Sequence, residues 1–282
     1  MPPGDTSAFP RLLLRLGEDT ATVVRHGAHL LSWRARGRER LYLSPRAGFA
    51  PGRAIRGGVP VIFPQFSARG PGPRHGFARL RRWRRLDDGR AADDLRLGLA
   101  DDADTRRAWP HAFALELRIA LAPAALELEL HVANAGPEAF RFTAALHTYL
   151  RVDEVADAAL SGLERAAFED MTAGGVQRPA EGAPLRFGTE LDRVYPDAPP
   201  VLHLRENGAV LRIEQAGFTD TVVWNPGPEA AARLPDLGAG EHRRFVCVEA
   251  ACAARPVELG PGERWSGRQR LAVADEPAPT PA

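Results

Sequence analysis

The stretch FALELRIALAPAALELELHV, residues 113–132, alternates apolar and polar side chains with a period of two. Phe113, Leu115, Leu117, Ile119 and Leu121 alternate with Ala114, Glu116, Arg118 and Ala120. Past Pro123, Leu126, Leu128, Leu130 and Val132 alternate with Glu127, Glu129 and His131. Successive side chains of an extended chain point to opposite faces, so the pattern predicts a hairpin with one buried and one wet face. His131 falls on the wet face, as an ordinary surface histidine. A second hairpin is expected at Asn207-Gly208, a pair suited to a type I′ turn, between Val201–Arg205 and Ala209–Glu214. His203 is structural there. His26-Gly27 turns the chain between Ala21–Arg25 and Ala28–Trp33, which leaves His26 and His29 as turn or strand residues. The one plausible helix lies around Glu229–Leu234. Many antiparallel strands and little helix predict an all-β fold, a large antiparallel β-sandwich. No internal repeat is evident. No linker divides the chain, so one domain over residues 1–274 is expected, followed by a disordered tail at 275–282.

Composition removes several kinds of chemistry. The 37 basic residues are all arginine, with no lysine, so lysine Schiff bases, pyridoxal phosphate attachment and a Walker phosphate loop are excluded. The 36 acids leave a net charge of +1, a balance that argues against a nucleic-acid partner. Arg81, Arg82, Arg84 and Arg85 form the densest basic run, expected as a solvated strand or turn face. Cys247 and Cys252 are the only cysteines, too few for a disulfide framework or a structural zinc or iron–sulfur site, and they fit a reducing compartment. Leu12, Leu13 and Leu14 are flanked by Arg11 and Arg15, with no long apolar run for a signal peptide or membrane span. A cytoplasmic protein without a membrane partner is expected. The oligomeric state is left open, with a monomer favoured.

Two segments carry loop chemistry: Arg56-Gly57-Gly58-Val59-Pro60-Val61-Ile62-Phe63-Pro64 and Gly70-Pro71-Gly72-Pro73-Arg74-His75-Gly76-Phe77-Ala78-Arg79. Glycine admits positive φ and close approach, proline fixes the path, and such loops usually carry function. Their cationic side chains point to an anionic or polyhydroxyl ligand.

Two ionisable residues stand where the pattern calls for hydrophobes. Glu249 interrupts the segment from Phe245 to Cys252, apolar on both faces, and His147 interrupts the near-continuous apolar strand Phe142–Leu150. A buried carboxylate is unfavourable unless hydrogen-bonded or used. Each has a structural explanation alone: a glutamate paired with an arginine, a histidine satisfied by a backbone carbonyl. Together, without metal-ligand spacing or a nucleophile motif, they suggest a general acid and a general base on opposite sides of one substrate.

Six segments, in order from residue 55 to 249, resemble the hexose-6-phosphate mutarotases (glucose-6-phosphate 1-epimerases) of the aldose 1-epimerase superfamily. They are Ile55-Arg56-Gly57-Gly58-Val59-Pro60, His75-Gly76-Phe77-Ala78-Arg79, Leu146-His147-Thr148-Tyr149, Thr189-Glu190-Leu191-Asp192-Arg193-Val194-Tyr195, Val222-Val223-Trp224-Asn225-Pro226-Gly227 and Phe245-Val246-Cys247-Val248-Glu249. The resemblance implies a galactose mutarotase-like supersandwich and interconversion of α and β hexose 6-phosphates. It implies Glu249 as base and His147 as acid, with Arg56 and Arg79 on the sugar and its 6-phosphate. His75 would bond a ring hydroxyl or the ring oxygen, and Asp192 would accept from sugar hydroxyls. Neither a cofactor nor a metal is required. Ordinary pKa values of about 4.3 and about 6.5 would give an ionised Glu249 and a partly protonated His147 near neutrality.

The chain also departs from the family pattern. Arg74 precedes His75 where relatives often carry a small polar residue, and either adds a phosphate contact or faces solvent. Leu191 stands between Glu190 and Asp192, shifting the aspartate loop by one position. Trp109 and Trp224 are candidates for stacking on a pyranose or for core packing. Cys247 shares a strand face with Glu249 and reads as a small hydrophobe. His111 and His242 have no motif support. Three functions follow: a hexose-6-phosphate mutarotase, a mutarotase of free aldoses, or a noncatalytic sugar-phosphate-binding protein.

Overall fold

The computed structural model describes residues 9–87, 89 and 91–274; the tail expected at 275–282 lies outside them. The described residues form three antiparallel sheets. A four-stranded meander joins β1 (Arg11–Leu16), β2 (Asp19–Val24), β3 (His29–Ala35) and β4 (Arg38–Glu39). A nine-stranded sheet runs, in spatial order, through β15 (Leu185–Arg186), β12 (Ala159–Ser161), β17 (Val201–Glu206), β18 (Ala209–Ala216), β21 (Arg264–Ala274), β9 (Ala125–Asn134), β8 (Phe113–Ala122), β7 (Asp94–Ala100) and β6 (Arg84–Arg85). An eight-stranded sheet runs through β14 (Val176–Arg178), β13 (Phe168–Asp170), β16 (Leu191–Tyr195), β19 (Asp220–Asn225), β20 (Phe245–Leu259), β10 (Phe140–Leu146) and β5 (Val61–Ile62). Its eighth strand, β11 (Tyr149–Arg151), also pairs with β20.

The 113–132 pattern becomes the β8–β9 hairpin, with Leu121 opposite Leu126 and Phe113 opposite Asn134. Its apolar row is buried in the main core, together with Trp33, Leu146, Val248 and Leu271 from the other strands. Each such side chain contributes roughly 1.5–3 kcal/mol on leaving water. A one-residue slip would turn the whole row outward, so the register is strongly specified. His131 lies on the wet face, 3.6 Å from Glu129. Asn207 (φ 47°) and Gly208 (φ 78°) both take the left-handed conformation that a type I′ turn requires between β17 and β18.

Two expectations need correction. A second helix, α1 (Ala103–Ala108), precedes α2 (Gly227–Ala232). Asp102 caps α1 by accepting from the Asp104 and Thr105 amides, while the Thr105 hydroxyl closes the box on the Asp102 amide. That signal, an aspartate three residues before a threonine, lies within a stretch too short for a helical period to show. The strand expected from Phe142 to Leu150 is also interrupted, since His147 and Thr148 belong to neither β10 nor β11. The basic run is largely solvated: Arg82, Arg84 and Arg85 are exposed, while Arg81 pairs with Asp102 and Asp104.

The loop after β5 returns to its start, where Phe63 bridges Gly76. His75 and Gly76 are both left-handed, at φ 64°. A Cβ on Gly76 would lie 2.1 Å from the Phe63 carbonyl oxygen. Gly76→Ala is therefore expected to lower unfolding free energy by at least the ~1–2 kcal/mol of a left-handed L-residue, read by urea denaturation; an unchanged midpoint would contradict this packing.

Candidate active site

The central strand β20 is buried on both faces from Phe245 to Ala253. Val246, Val248, Ala250 and Cys252 enter the core between the sheets, so Phe245, Cys247, Glu249 and Ala251 face the other way. Cross-strand register extends that second face. Asp192 pairs with Trp224, Trp224 with Cys247, and Cys247 with Tyr149. One rung further, Val194 pairs with Val222 and Val222 with Glu249. Leu146 pairs with Ala250 and Tyr149 with Cys247, so the same register sets His147 across from Glu249.

His147 Nε2 lies 3.4 Å from Glu249 Oε1. The two groups are side by side on one floor, because the pairs Leu146–Ala250 and Tyr149–Cys247 on either side of His147 hold it at the position facing Glu249. The His147 ring stacks on Tyr149, two residues further on, at 4.9 Å. His147 Nδ1 and Glu249 Oε2 are buried without a hydrogen-bond partner.

The glycine-rich segments form the walls. Gly58 is left-handed at φ 62°, and a Cβ there would lie 2.1 Å from the Leu30 carbonyl oxygen, so only glycine lets this loop press against β3. His29, unremarkable in the sequence, is fully buried beneath it and bonds the Gly57 carbonyl through Nε2 at 2.7 Å. The preceding Arg56 is aimed by Asp236, which accepts from Nε at 3.1 Å, and by the Tyr149 hydroxyl, which accepts from Nη1 at 3.0 Å. Arg79 sits on a 3₁₀ turn, Ala78–Leu80, and donates to the Arg74 carbonyl at 2.9 Å. His75 Nδ1 accepts from the Ser67 amide at 3.3 Å, which makes Nε2 the N–H of the neutral ring.

These residues line one cleft of about 400 Å³: Arg56, Arg74, His75, Arg79, Asp192, His147 and Glu249. All seven residues singled out in the sequence therefore converge. Trp224, Met171 and Leu234 complete an apolar wall. Clefts of similar or larger size elsewhere are lined by strand-face Arg and Glu residues without such convergence. Among the described residues no cluster of three or more His, Cys, Asp or Glu is placed to hold a metal, and no helix is long and apolar enough to cross a membrane.

The aldose 1-epimerase family model matches residues 11–272. The chain belongs to the aldose 1-epimerase family. A Cenchrus ciliaris protein named "Putative glucose-6-phosphate 1-epimerase" is 34% identical over 95% of this chain and 85% of its own length. An Escherichia coli K12 protein of the same name is 33% identical over 83% and 80%. The crystal structure of a "putative mutarotase" from Salmonella typhimurium superposes with a TM-score of 0.81 at 28% identity, covering 95% of this chain and 98% of that one.

Electrostatics in this epimerase depart from the free-residue expectation. Burial first, then Asp192, raises the Glu249 pKa well above the ordinary carboxyl range. Burial first, then His75, Arg79 and Arg56, lowers His147 well below that of a free histidine. Both shifts disfavour charge on the two groups, opposite to the expectation from free residues. The same positive field, after burial, holds His75 down at about 3. Burial, followed by Arg56 and Arg74, lowers Arg79 to about 10. Burial raises Asp192 to about 6, against the pull of Arg74.

Sequence reading missed several members of this epimerase's cleft. Tyr149 carried a signal, standing two residues from His147 in an apolar stretch; Met171 and Leu234 carried none, nor did Asp236, which lies outside the lining and aims Arg56. Leu191 is buried in the core and Arg193 pairs with Glu181, so within that loop it is Asp192 that faces the cleft. Trp109 packs into the core against Phe63 and Phe140. Cys247 is fully buried, and burial pushes its thiol pKa up, as befits an inert hydrophobe.

A raised folded-state pKa means that unfolding releases the Glu249 proton. Its stabilising contribution is complete below the unfolded value, near 4.5, and is lost as pH rises through the higher folded value. Glu249→Gln should therefore melt above the wild type at neutral and alkaline pH, with the gap closing toward pH 4. Thermal melts across that range test this, and parallel curves would contradict it.

Proposed function

We propose that this epimerase interconverts the α and β anomers of hexose 6-phosphates, with glucose 6-phosphate the favoured substrate. The observation that carries the reading is one proton-transfer pair, 3.4 Å apart, on the floor of a cleft walled by Arg56, Arg74 and Arg79. The hydroxyl oxygen O1 and the ring oxygen O5 of a pyranose are bonded to the same carbon, so their exchange partners must lie close together. Facing positions, Glu249 on β20 and His147 between the paired strands β10 and β11, supply that closeness.

In the forward direction Glu249 takes the proton of the C1 hydroxyl and His147 gives a proton to O5. The C1–O5 bond breaks as the C1–O1 π bond forms. Rotation about C1–C2 presents the other face of the aldehyde. The O5 hydroxyl adds to it, returning its proton to His147, while O1 takes the proton from Glu249. The Glu−/His+ form that starts the cycle and a neutral carboxyl–imidazole pair hold the same single transferable proton. A shift of that proton from Oε1 to Nε2 connects the two forms. The Nε2–H of His75 is suited to a ring hydroxyl or the ring oxygen, and the Asp192 carboxylate to accept from sugar hydroxyls.

Support for the 6-phosphate comes from charge. Arg56 keeps Nη2 beyond its bonds to Asp236 and Tyr149, and Arg79 keeps Nη1 beyond its bond to Arg74. Guanidinium donors fit phosphate oxygens bidentately. Burial and the neighbouring guanidiniums depress Arg79, strain that a dianion would relieve. Relatives at 33–34% identity bear glucose 6-phosphate in their names.

Anomer-exchange NMR on glucose 6-phosphate, with galactose and mannose 6-phosphate and the free sugars alongside, tests both parts. Glu249→Gln and His147→Asn should each lose at least ~10²-fold in exchange rate; wild-type rates in both would remove the acid–base assignment. Arg79→Ala should weaken phosphorylated sugars while sparing free ones, and inorganic phosphate should compete. Equal responses of free and phosphorylated sugars would assign the enzyme to free aldoses.

A further inference from the structure

The ladder beside the acid–base pair lacks one hydrogen bond, and a side chain from the other sheet fills the gap. In an antiparallel hydrogen-bonded pair, two residues exchange both N–H···O=C bonds. The register that sets His147 across from Glu249 sets Thr148 across from Val248. Only half of that exchange is made: the Val248 amide donates to the Thr148 carbonyl at 3.1 Å, but the Thr148 amide turns back to the Leu146 carbonyl at 3.0 Å. Gln269 replaces the missing donor. Its Nε2 donates to the Val248 carbonyl at 3.1 Å, and its Oε1 accepts from the Thr148 hydroxyl. A carbonyl can only accept, which fixes the orientation of the amide.

Gln269 belongs to β21, in the nine-stranded sheet, where it pairs with Leu128; it is 1% exposed. An amide in an apolar layer is unfavourable unless its bonds are met. A regular ladder would leave nothing there for it to meet. Both of its partners adjoin the pair, Thr148 following His147 and Val248 preceding Glu249. We infer that Gln269 is a positioning residue, a clamp from the opposite sheet that sets the spacing of His147 against Glu249. At 3.4 Å that spacing is already long for a hydrogen bond, so slack in the interrupted ladder would act directly on proton transfer.

The inference rests on the acid–base reading of the cleft, and the experiment separates the two. Gln269→Met removes both bonds at similar volume. Expected are a KM for glucose 6-phosphate near wild type, a kcat lower on the order of 10- to 10²-fold, as for small misplacements of reacting groups, and displaced limbs of the pH–kcat profile. Thr148→Val should lower kcat likewise, and Thr148→Ser, which keeps the hydroxyl, should restore it. A lower melting temperature with wild-type kcat and pH profile would overturn the clamp, leaving Gln269 a purely structural residue. Should Gln269→Met fail to fold, the Thr148 pair decides: equal kcat for Val and Ser overturns the inference, and loss with Val but not Ser supports it. Wild-type exchange in Glu249→Gln would defeat the acid–base reading itself. An inactive Glu249→Gln beside a fully active Gln269→Met and Thr148→Val would defeat only the clamp.

Discussion

Glu249 on the central strand β20 faces His147, which stands in the break between β10 and β11, the two segments paired alongside it, and both are almost withdrawn from water. Burial disfavours the charged form of each, raising the pKa of the carboxyl and lowering that of the imidazole. The rest of the cleft follows from protecting that arrangement. Strands are needed on either side, because the ladders of β10 and β11 with β20 hold His147 at the position facing Glu249. A second sheet is needed behind, because exclusion of solvent is the largest cause of the raised Glu249 pKa.

The walls solve a different problem, bringing guanidinium groups close to one another and to two imidazoles. Arg56 is held by Asp236 and Tyr149, and Arg79 by a backbone carbonyl, so each keeps donors directed elsewhere. The left-handed glycines at 58 and 76 let backbone press to within 2.1 Å of where a Cβ would stand. That closeness turns flexible-looking sequence into a rigid rim. The resulting positive field reaches His75 and His147 and reinforces burial in keeping both imidazoles neutral.

Much of this was legible in the chain. The period-two pattern of residues 113–132 predicts β8 and β9, and Asn207-Gly208 predicts the turn between β17 and β18, because both are local consequences of pleat and of left-handed backbone. Glu249 and His147 stood out as polar residues in apolar strands. The short helix α1 was hidden, since its capping signal is local and its six residues show no period. His29, Asp236 and Gln269 gave no sign, as each acts on a partner far along the chain: Gly57, Arg56 and Val248.

What the amino-acid order settled alone was the alternation that makes sheets, the glycines that permit tight loops, and the presence of two ionisable residues where hydrophobes belong. These depend on neighbours a few residues apart. Only the tertiary structure decided that His147 lies beside Glu249, that burial shifts their pKa values in opposite directions, and that an amide from the second sheet closes the broken rung. Distance between strands, exclusion of water and the summed field of remote arginines are properties of the packed molecule, and a pattern read along one chain contains none of them.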